Sequence, residues 1–214
     1  MRKGLVALIV VAVLVLGGFI WVKNVYNQIV VSDEYIQSTW AQVENVYQRR
    51  ADLIPNLVST VKGYAAHESE TLENVVAARA NATQVTVDPS DLTPEALARF
   101  NEAQDGLSAA LGRLLMIQES YPELKANQNF LELQAQLEGT ENRIATERMK
   151  FNDAVKAFNT GIRRFPDNIT ADDILDRKQY FYRNSDRIMP RHYKLDSLFF
   201  SPLYHLVQAY KRHP

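Results

Sequence analysis

Hydrophobic positions divide the chain into one unbroken apolar segment and several stretches with helical periodicity. Residues 4–22, GLVALIVVAVLVLGGFIWV, contain no charged side chain. A helix of this length covers roughly 28 Å at ~1.5 Å per residue, close to the hydrocarbon thickness of a bilayer. The segment therefore predicts a transmembrane anchor. A cleaved signal peptide is the alternative, but its apolar region is normally shorter and is followed by a site of small residues.

The first periodic stretch follows the anchor. Ser32, with two acidic residues directly behind it, has the composition of a helix start. Apolar residues then recur at helical spacing, and their phase continues past Pro55: they are Ile36, Trp40, Val43, Tyr47, Ile54, Leu57, Val61 and Ala65. The pattern predicts one helix from about Asp33 to Ala80, kinked at Pro55. The kink is expected because proline cannot donate a hydrogen bond to the carbonyl of Ala51.

Two further helices are predicted after this one. Residues 93–95, Thr-Pro-Glu, combine a capping residue, a proline suited to the first helical position and an acid in the first turn. The helix that they start is expected to end near residues 121–122. The last helix is predicted to begin within residues 122–129 and to end near Arg164. The fold class is therefore all-α, with an N-terminal transmembrane helix followed by an antiparallel bundle of long helices.

These elements predict three parts of the chain: an anchor at 1–23, a long-helix bundle at 32–166 and a tail at 167–214. Residues 176–214 hold eight Lys or Arg and three Asp, so the tail is basic as well as aromatic. Its Phe199 and Phe200 belong to an apolar run with two interpretations. The run either contacts a membrane or a partner protein, or it covers part of the bundle.

The predicted helices differ in length. The first periodic helix spans about 70 Å and the second about 40 Å, so a hairpin between them brings the 121–122 turn beside Pro55. Residues 33–53 then lack a partner among the three helices, although Trp40 and Tyr47 lie on their apolar stripe. We therefore expect a membrane-proximal stalk that is covered by the tail or by a second copy of the chain. Self-association into a homo-oligomer follows from the second possibility.

Charged residues beside Pro55 separate on a helical wheel. Arg49 lies opposite the apolar stripe and is expected to face water, whereas Arg50 lies beside the stripe at the edge of the core. A cation in that position needs a partner, and Glu119 or Glu123 near the 121–122 turn are the expected candidates.

A second group of candidate residues lies in the densest polar run of the last helix. Gly139 predicts the close approach of another backbone, because glycine inside a helix otherwise only destabilises it. Glu141 and Arg148 flank the apolar stripe and predict a polar network inside the bundle. A catalytic carboxylate at Glu141 is the alternative.

Composition excludes several kinds of chemistry. The chain has no cysteine, which excludes disulfides, thiolate metal sites and cysteine nucleophiles. Its net charge of −1 gives no field that attracts nucleic acid. Neither H-E-x-x-H, G-x-S-x-G nor a glycine-rich phosphate loop occurs. The sequence predicts no catalytic, cofactor-binding or metal-binding site, and a hydrolase that uses Glu141 or His67 with a metal ion is the weaker alternative.

Two blocks carry a family resemblance. They are TWAQVENVYQRRADLIPNLVSTVKGYAAHE at 39–68 and LELQAQLEGTENRIATERMKFNDAVKAFNTGIRRFP at 131–166. In order, spacing and length they resemble the LemA family. The resemblance implies a membrane-anchored antiparallel helical bundle, no established enzymatic activity, and association with membrane-bound proteases and envelope functions.

The predicted function is a non-enzymatic, membrane-anchored scaffold or adaptor of the bacterial envelope. It binds the bilayer through residues 4–22, self-associates, and presents a helical head to other membrane proteins such as a protease. An oligomeric membrane-remodelling coat is the alternative. Arg2 and Lys3 precede the span and only Lys23 follows it closely. This bias predicts an inner-membrane protein with a cytoplasmic N-terminus and a periplasmic or extracellular bundle.

Overall fold

The computed structural model of the chain describes residues 2–89, 92–165 and 167. Within them lie five α-helices and one short 3₁₀ turn: α1 (Arg2–Tyr64), α2 (Ser69–Gln84), α3 (Pro94–Met116), the 3₁₀ turn (Ile117–Ser120), α4 (Pro122–Lys125) and α5 (Gln128–Gly161). The described part of the chain has no strand, and the all-α prediction is confirmed. Phe199, Phe200 and the rest of the basic tail lie outside the described residues.

Helix α1 joins the anchor to the bundle without a break. It spans 63 residues, so the helix start predicted at Ser32 is wrong. The Ser32 hydroxyl donates to the carbonyl of Gln28 at 2.8 Å and thus binds inside the helix rather than capping it. The apolar segment at the start of α1 is exposed, and the helix is long and apolar enough there to cross a membrane.

The helix predicted to reach Ala80 ends instead at Tyr64. It passes Pro55 as predicted, but a turn at 65–68 reverses the chain, and α2 packs back along α1. The buried positions Val61, Ala65, Leu72 and Val75 follow one another at spacings of four, seven and three residues across this turn. Hydrophobic phase alone therefore could not detect the reversal.

Residues 85–89 and 92–93 lie past the end of α2 on the membrane side, where Val87 and Leu92 are buried. Helix α3 consequently runs parallel to α1, while α2 and α5 run antiparallel to it. The short α2 covers only the membrane-distal half of α1. The result is a four-helix bundle in its distal half and a three-helix bundle nearer the membrane.

No uncovered stalk exists within the described residues, so that prediction is wrong. Trp40 is completely buried. Its ring packs edge-on against Phe100 of α3 and Phe151 of α5, with centroids 5.2 and 5.3 Å away. Tyr47 packs edge-on against the same Phe100 at 5.1 Å. The stripe needs no second copy of the chain because α3 and α5 cover it.

The distal end of the bundle is held by side-chain hydrogen bonds. Tyr121 donates to Glu68 at 3.2 Å, and the Asn127 amide donates to the Tyr64 hydroxyl at 2.8 Å. The 121–122 turn therefore lies beside the 65–68 turn and not beside Pro55 as predicted. Asn127 also caps α5 by accepting from the backbone N–H of Phe130.

Helix α3 starts as the sequence predicts. Pro94 occupies its first turn, and the Thr93 hydroxyl accepts from the backbone N–H of Ala96 at 3.2 Å. This cap fixes the point at which the chain turns back to run beside Trp40.

Candidate functional site

A buried polar cluster around Arg50 lies midway along the bundle, between α1, α3 and α5. The Arg50 side chain is 2% exposed. Its Nη1 donates to Glu141 Oε1 at 3.0 Å and to Ser108 Oγ at 2.9 Å. Its Nη2 donates to both the side-chain and the backbone carbonyl oxygens of Gln104. Two helices, α3 and α5, thus supply acceptors to the guanidinium of α1.

Gln104 extends the cluster to α2. Its amide Nε2 donates to the backbone carbonyl of Ala82 at 3.3 Å, while its Oε1 accepts from Arg50. The Ser108 hydroxyl donates a hydrogen bond to the backbone carbonyl of Gln104 at 2.9 Å. Arg50 is therefore connected, directly or through Gln104, to every long helix of the bundle.

Tyr47 covers the membrane side of the guanidinium. The Arg50 Cζ lies 5.0 Å from the centre of the Tyr47 ring, a cation–π arrangement. Arg148 Nη1 donates to the Tyr47 hydroxyl at 3.1 Å. Burial raises the pKa of Tyr47 above its ordinary value, although the two neighbouring arginines act in the opposite direction. The phenol therefore stays neutral at physiological pH.

Glu44 lies one helical turn closer to the membrane. Partial burial raises the pKa of its carboxyl above the ordinary value, and a hydrogen bond from the backbone of Val87 offsets part of that rise. Asp88 adds a small increase by charge repulsion. Glu44 thus lies where Val87 and Asp88, just past α2, meet α1.

Pro55 has a specific partner on α2. A proline at 55 leaves the carbonyl of Ala51 without its usual helical donor. Arg79 fills that vacancy: its Nε donates to the Ala51 carbonyl at 2.7 Å. The stretch ADLIP can thus stay helical because a cation from the returning helix satisfies the orphaned oxygen.

The structure changes several residue-level predictions. Glu119 and Glu123 do not pair with Arg50, because they lie at the distal end, where Glu119 accepts from Lys125 at 2.9 Å. The expected backbone approach at Gly139 is wrong as well: within the described chain, nothing lies within 4 Å of a Cβ built there. Nothing in the structure explains that glycine. Arg49 is exposed, as predicted.

Sequence reasoning missed Gln104, Ser108 and Arg79. A signal existed for Gln104, because it interrupts the apolar stripe of α3 at a buried position between Phe100 and Leu107. A signal existed for Arg79 too, since the orphaned carbonyl at Ala51 required some donor. The sequence does not show which helix supplies that donor.

The chemistry of the cluster is that of a structural network. The Glu141 carboxylate, 21% exposed, accepts from a buried cation rather than facing an open cavity. His67 is exposed in the 65–68 turn at the distal end of the bundle, whereas Glu141 lies beside Arg50 midway along it. Among the described residues, no group of three or more His, Asp or Glu is placed to hold a metal ion. The geometry therefore brings neither of the two proposed hydrolase residues into a shared site.

Comparison with known proteins gives a consistent result. The sequence profile described as "LemA family" matches residues 39–190. Magnetosome protein MamQ 2 of Paramagnetospirillum magneticum is 28% identical over 183 residues, covering 77% of this chain and 67% of the relative. Protein LemA of Metamycoplasma hominis is 23% identical over 145 residues, covering 68% of this chain and 63% of the relative. With the exposed apolar start of α1, these matches indicate a membrane-anchored protein.

Proposed function

The chain belongs to the LemA family, and from that premise we propose that it is a non-enzymatic, membrane-anchored scaffold of the bacterial envelope. Its task is to hold a helical head at a fixed distance and orientation from the lipid and to present it to other membrane proteins. From Lys23 to Tyr64, α1 extends for roughly 60 Å at ~1.5 Å per residue, which sets that distance.

The uninterrupted α1 is the observation that carries this proposal. An anchor joined through a flexible linker would leave the head free to rotate. Here the helix that leaves the bilayer is also the helix against which α2, α3 and α5 pack. The Arg50 cluster supports the same interpretation, since its charged groups hydrogen-bond between helices and hold them in place relative to one another.

The distal end of the head offers the partner surface. Three exposed apolar side chains lie around it, which we name the distal surface: Tyr64, Met116 and Leu131, exposed by 40%, 67% and 43%. We infer that these side chains, at the tip of the projecting head, contact another protein. The proposed partner is a membrane protein whose own extramembrane domain reaches this height, such as a membrane protease.

A pull-down from native membranes tests the scaffold directly. Full-length wild type should capture a defined membrane protein, and Met116→Asp/Leu131→Asp should lose it. Met149→Asp, which alters a residue exposed by 58% on another part of α5, is the matched control and should retain it. A deletion of residues 170–214 shows whether the tail contributes. Equal capture by all variants, or no specific capture by wild type, would contradict the proposal.

Self-association and sidedness remain part of the proposal. The burial of Trp40 removes the argument that a second copy must cover α1, so self-association must use other surfaces. The placement of the bundle outside the cytoplasm is supported by Arg2 and Lys3 before the span against Lys23 after it. Because the chain has no cysteine, a single Gly63→Cys variant can test sidedness. A membrane-impermeant maleimide should label it in intact spheroplasts, and protection until lysis would reverse the assignment.

A further inference from the structure

Two arginines and a phenylalanine follow the end of α5 at the membrane-proximal end of the bundle. Arg163, Arg164 and Phe165 are all exposed, and Phe165 is exposed by 81%. The residue before them, Ile162, is buried in the core cluster that also contains Val25 of α1. We name Arg163, Arg164 and Phe165 the bundle base.

The contacts between α1 and the antiparallel α5 fix their register. Arg50 binds Glu141 at 3.0 Å. Trp40, which is ten residues closer to the membrane on α1, packs against Phe151, which is ten residues closer to the C-terminal end of α5. One residue along α1 therefore corresponds to one residue along α5, because both helices rise by the same amount per residue.

This register gives the height of the bundle base above the bilayer. It places position 165 opposite Tyr26, which lies four residues beyond Val22, where the uncharged segment ends. Four residues of helix rise by roughly 6 Å, and the polar headgroup layer is about 5 to 8 Å thick. Trp21 supports this height, since it belongs to the uncharged segment and yet packs against the core cluster of the bundle. The bundle base therefore lies in the headgroup layer.

The composition of the bundle base fits the surface of an anionic bilayer. Segments that bind in the interface combine phenylalanine with lysine or arginine, because the ring enters the acyl boundary while the cations meet lipid phosphates. Exposed Lys23 lies two residues from Val25 and thus on the face of α1 that points away from α5. Cations consequently border α1 on both sides at this height. In the described part of the sequence, the acid nearest to the base is the half-buried Asp167.

A purely structural role explains only part of the bundle base. Arginines at the C-terminal end of a helix complement its dipole. That role accounts for Arg163 and Arg164, but it does not require an exposed phenylalanine directly behind them. Removing the Phe165 ring from water is favourable, and the acyl boundary supplies an apolar medium at this height. The bilayer that α1 already enters is thus a surface within reach of the ring.

We propose that the bundle base binds the bilayer surface, with the Phe165 ring at the boundary of the acyl chains and Arg163 and Arg164 on the phosphates of anionic lipids. The bundle is then held at two places, by the span and by its base, and this restrains its tilt where α1 leaves the bilayer. The inference depends on the membrane anchor and not on the proposed partner protein, so either proposal can fail without the other.

Photo-crosslinking of the full-length protein in nanodiscs of phosphatidylglycerol and phosphatidylcholine tests this contact. The photoreactive p-benzoylphenylalanine replaces Phe165 in one variant and Met149 in the matched control. Met149 is also an exposed apolar residue, but the register places it opposite Gln42, roughly 30 Å beyond the span. Irradiation should give a lipid adduct at 165 and none at 149, as read by mass spectrometry. Equal lipid adducts at both positions, no lipid adduct at 165, or crosslinks from 165 to residues 168–214 or to a second copy of the chain in place of lipid, would overturn the proposal.

A charge variant tests the phosphate contact in the protein that carries the photoreactive residue at 165. Arg163→Glu/Arg164→Glu should lower the lipid adduct at least about fivefold, the factor that one basic residue contributes near an anionic surface. Lys62→Glu/Arg143→Glu, at two exposed positions far from the bilayer, is the matched control and should leave the adduct unchanged. Nanodiscs of phosphatidylcholine alone should lower the adduct as the first variant does. An adduct that is insensitive to both the arginines and the lipid charge would overturn the proposal.

Discussion

Burying a guanidinium removes it from water, and only close acceptors can offset that cost. Arg50 is given Glu141, Ser108 and Gln104 within hydrogen-bonding distance, together with the face of Tyr47. A network of this kind fixes which helices lie next to one another, because any other arrangement leaves a buried charge without a partner. The cluster therefore contributes more to determining which helices are neighbours than to the free energy of folding.

Removing one member of the Arg50–Glu141 pair should be costly. Arg50→Met and Glu141→Gln should each lower stability by about 3 kcal/mol, or roughly 6 to 12 °C in the thermal midpoint, because each leaves the charge of a buried or half-buried partner uncompensated inside the bundle. The double variant should lose less than the sum of the two. Arg49→Met, at an exposed position on the same turn, should change the midpoint by no more than ~2 °C. Circular dichroism melts of the full-length protein in detergent decide this, and strict additivity would contradict the network.

Glu44 is predicted to make the stability of the protein depend on pH. Its pKa is raised in the folded state by burial, so the folded protein holds this proton more tightly than the unfolded chain. Its stabilising effect is present below the ordinary carboxyl pKa and is lost as pH rises through the folded-state pKa. Glu44→Gln should therefore melt higher than wild type at pH 8, and the difference should shrink toward pH 5. The exposed Glu34→Gln should show no such trend, and a pH-independent difference at Glu44 would be the contrary result.

At the scale of the elements, α1 remains helical across Pro55 because a side chain of α2 donates to the carbonyl that the proline leaves without a donor. This hydrogen bond, from Arg79 to the Ala51 carbonyl, couples α1 to α2. Arg79→Met should cost about 1.5 kcal/mol, the usual size of a hydrogen bond to a charged group. In a Pro55→Ala background the cost should fall by about 1 kcal/mol, since residue 55 then supplies a backbone N–H to that carbonyl. A double-mutant cycle of unfolding free energies measures the coupling, and equal costs in both backgrounds would show that Arg79 acts elsewhere.

The order of the helices shows where sequence reasoning reached its limit. The hydrophobic pattern predicted the anchor and the passage through Pro55, and local composition predicted the cap at Thr93 and a helix start within 122–129; all of these are local features. The pattern did not predict the turn at 65–68, because Ala65 and Leu72 keep the same hydrophobic phase across the reversal. Everything that depends on that turn was then misplaced.

The prediction of the partners of Arg50 failed for the same physical reason. A helical wheel places Arg50 at the edge of the core and Glu141 and Arg148 beside the stripe of the last helix, so the members were identifiable. Their pairing depends on α3 running parallel to α1, which brings Gln104 and Ser108 to the guanidinium. That direction follows from the 65–68 turn, and it is a property of the whole chain rather than of any segment.

For the whole molecule, the decisive property is whether anchor and head move as one body. Since the chain lacks cysteine, spin labels can be placed at Gly18→Cys and Gly63→Cys alone, two positions on α1 where an added side chain meets nothing within 4 Å. A continuous helix should give one narrow distance distribution in nanodiscs, centred at about 68 Å. Lys23→Gly/Asn24→Gly, which weakens the helix by about 1 kcal/mol per glycine at the bilayer exit, should broaden it. A wild type as broad as this variant would mean that the head swings freely, and a scaffold that sets orientation through α1 could not work.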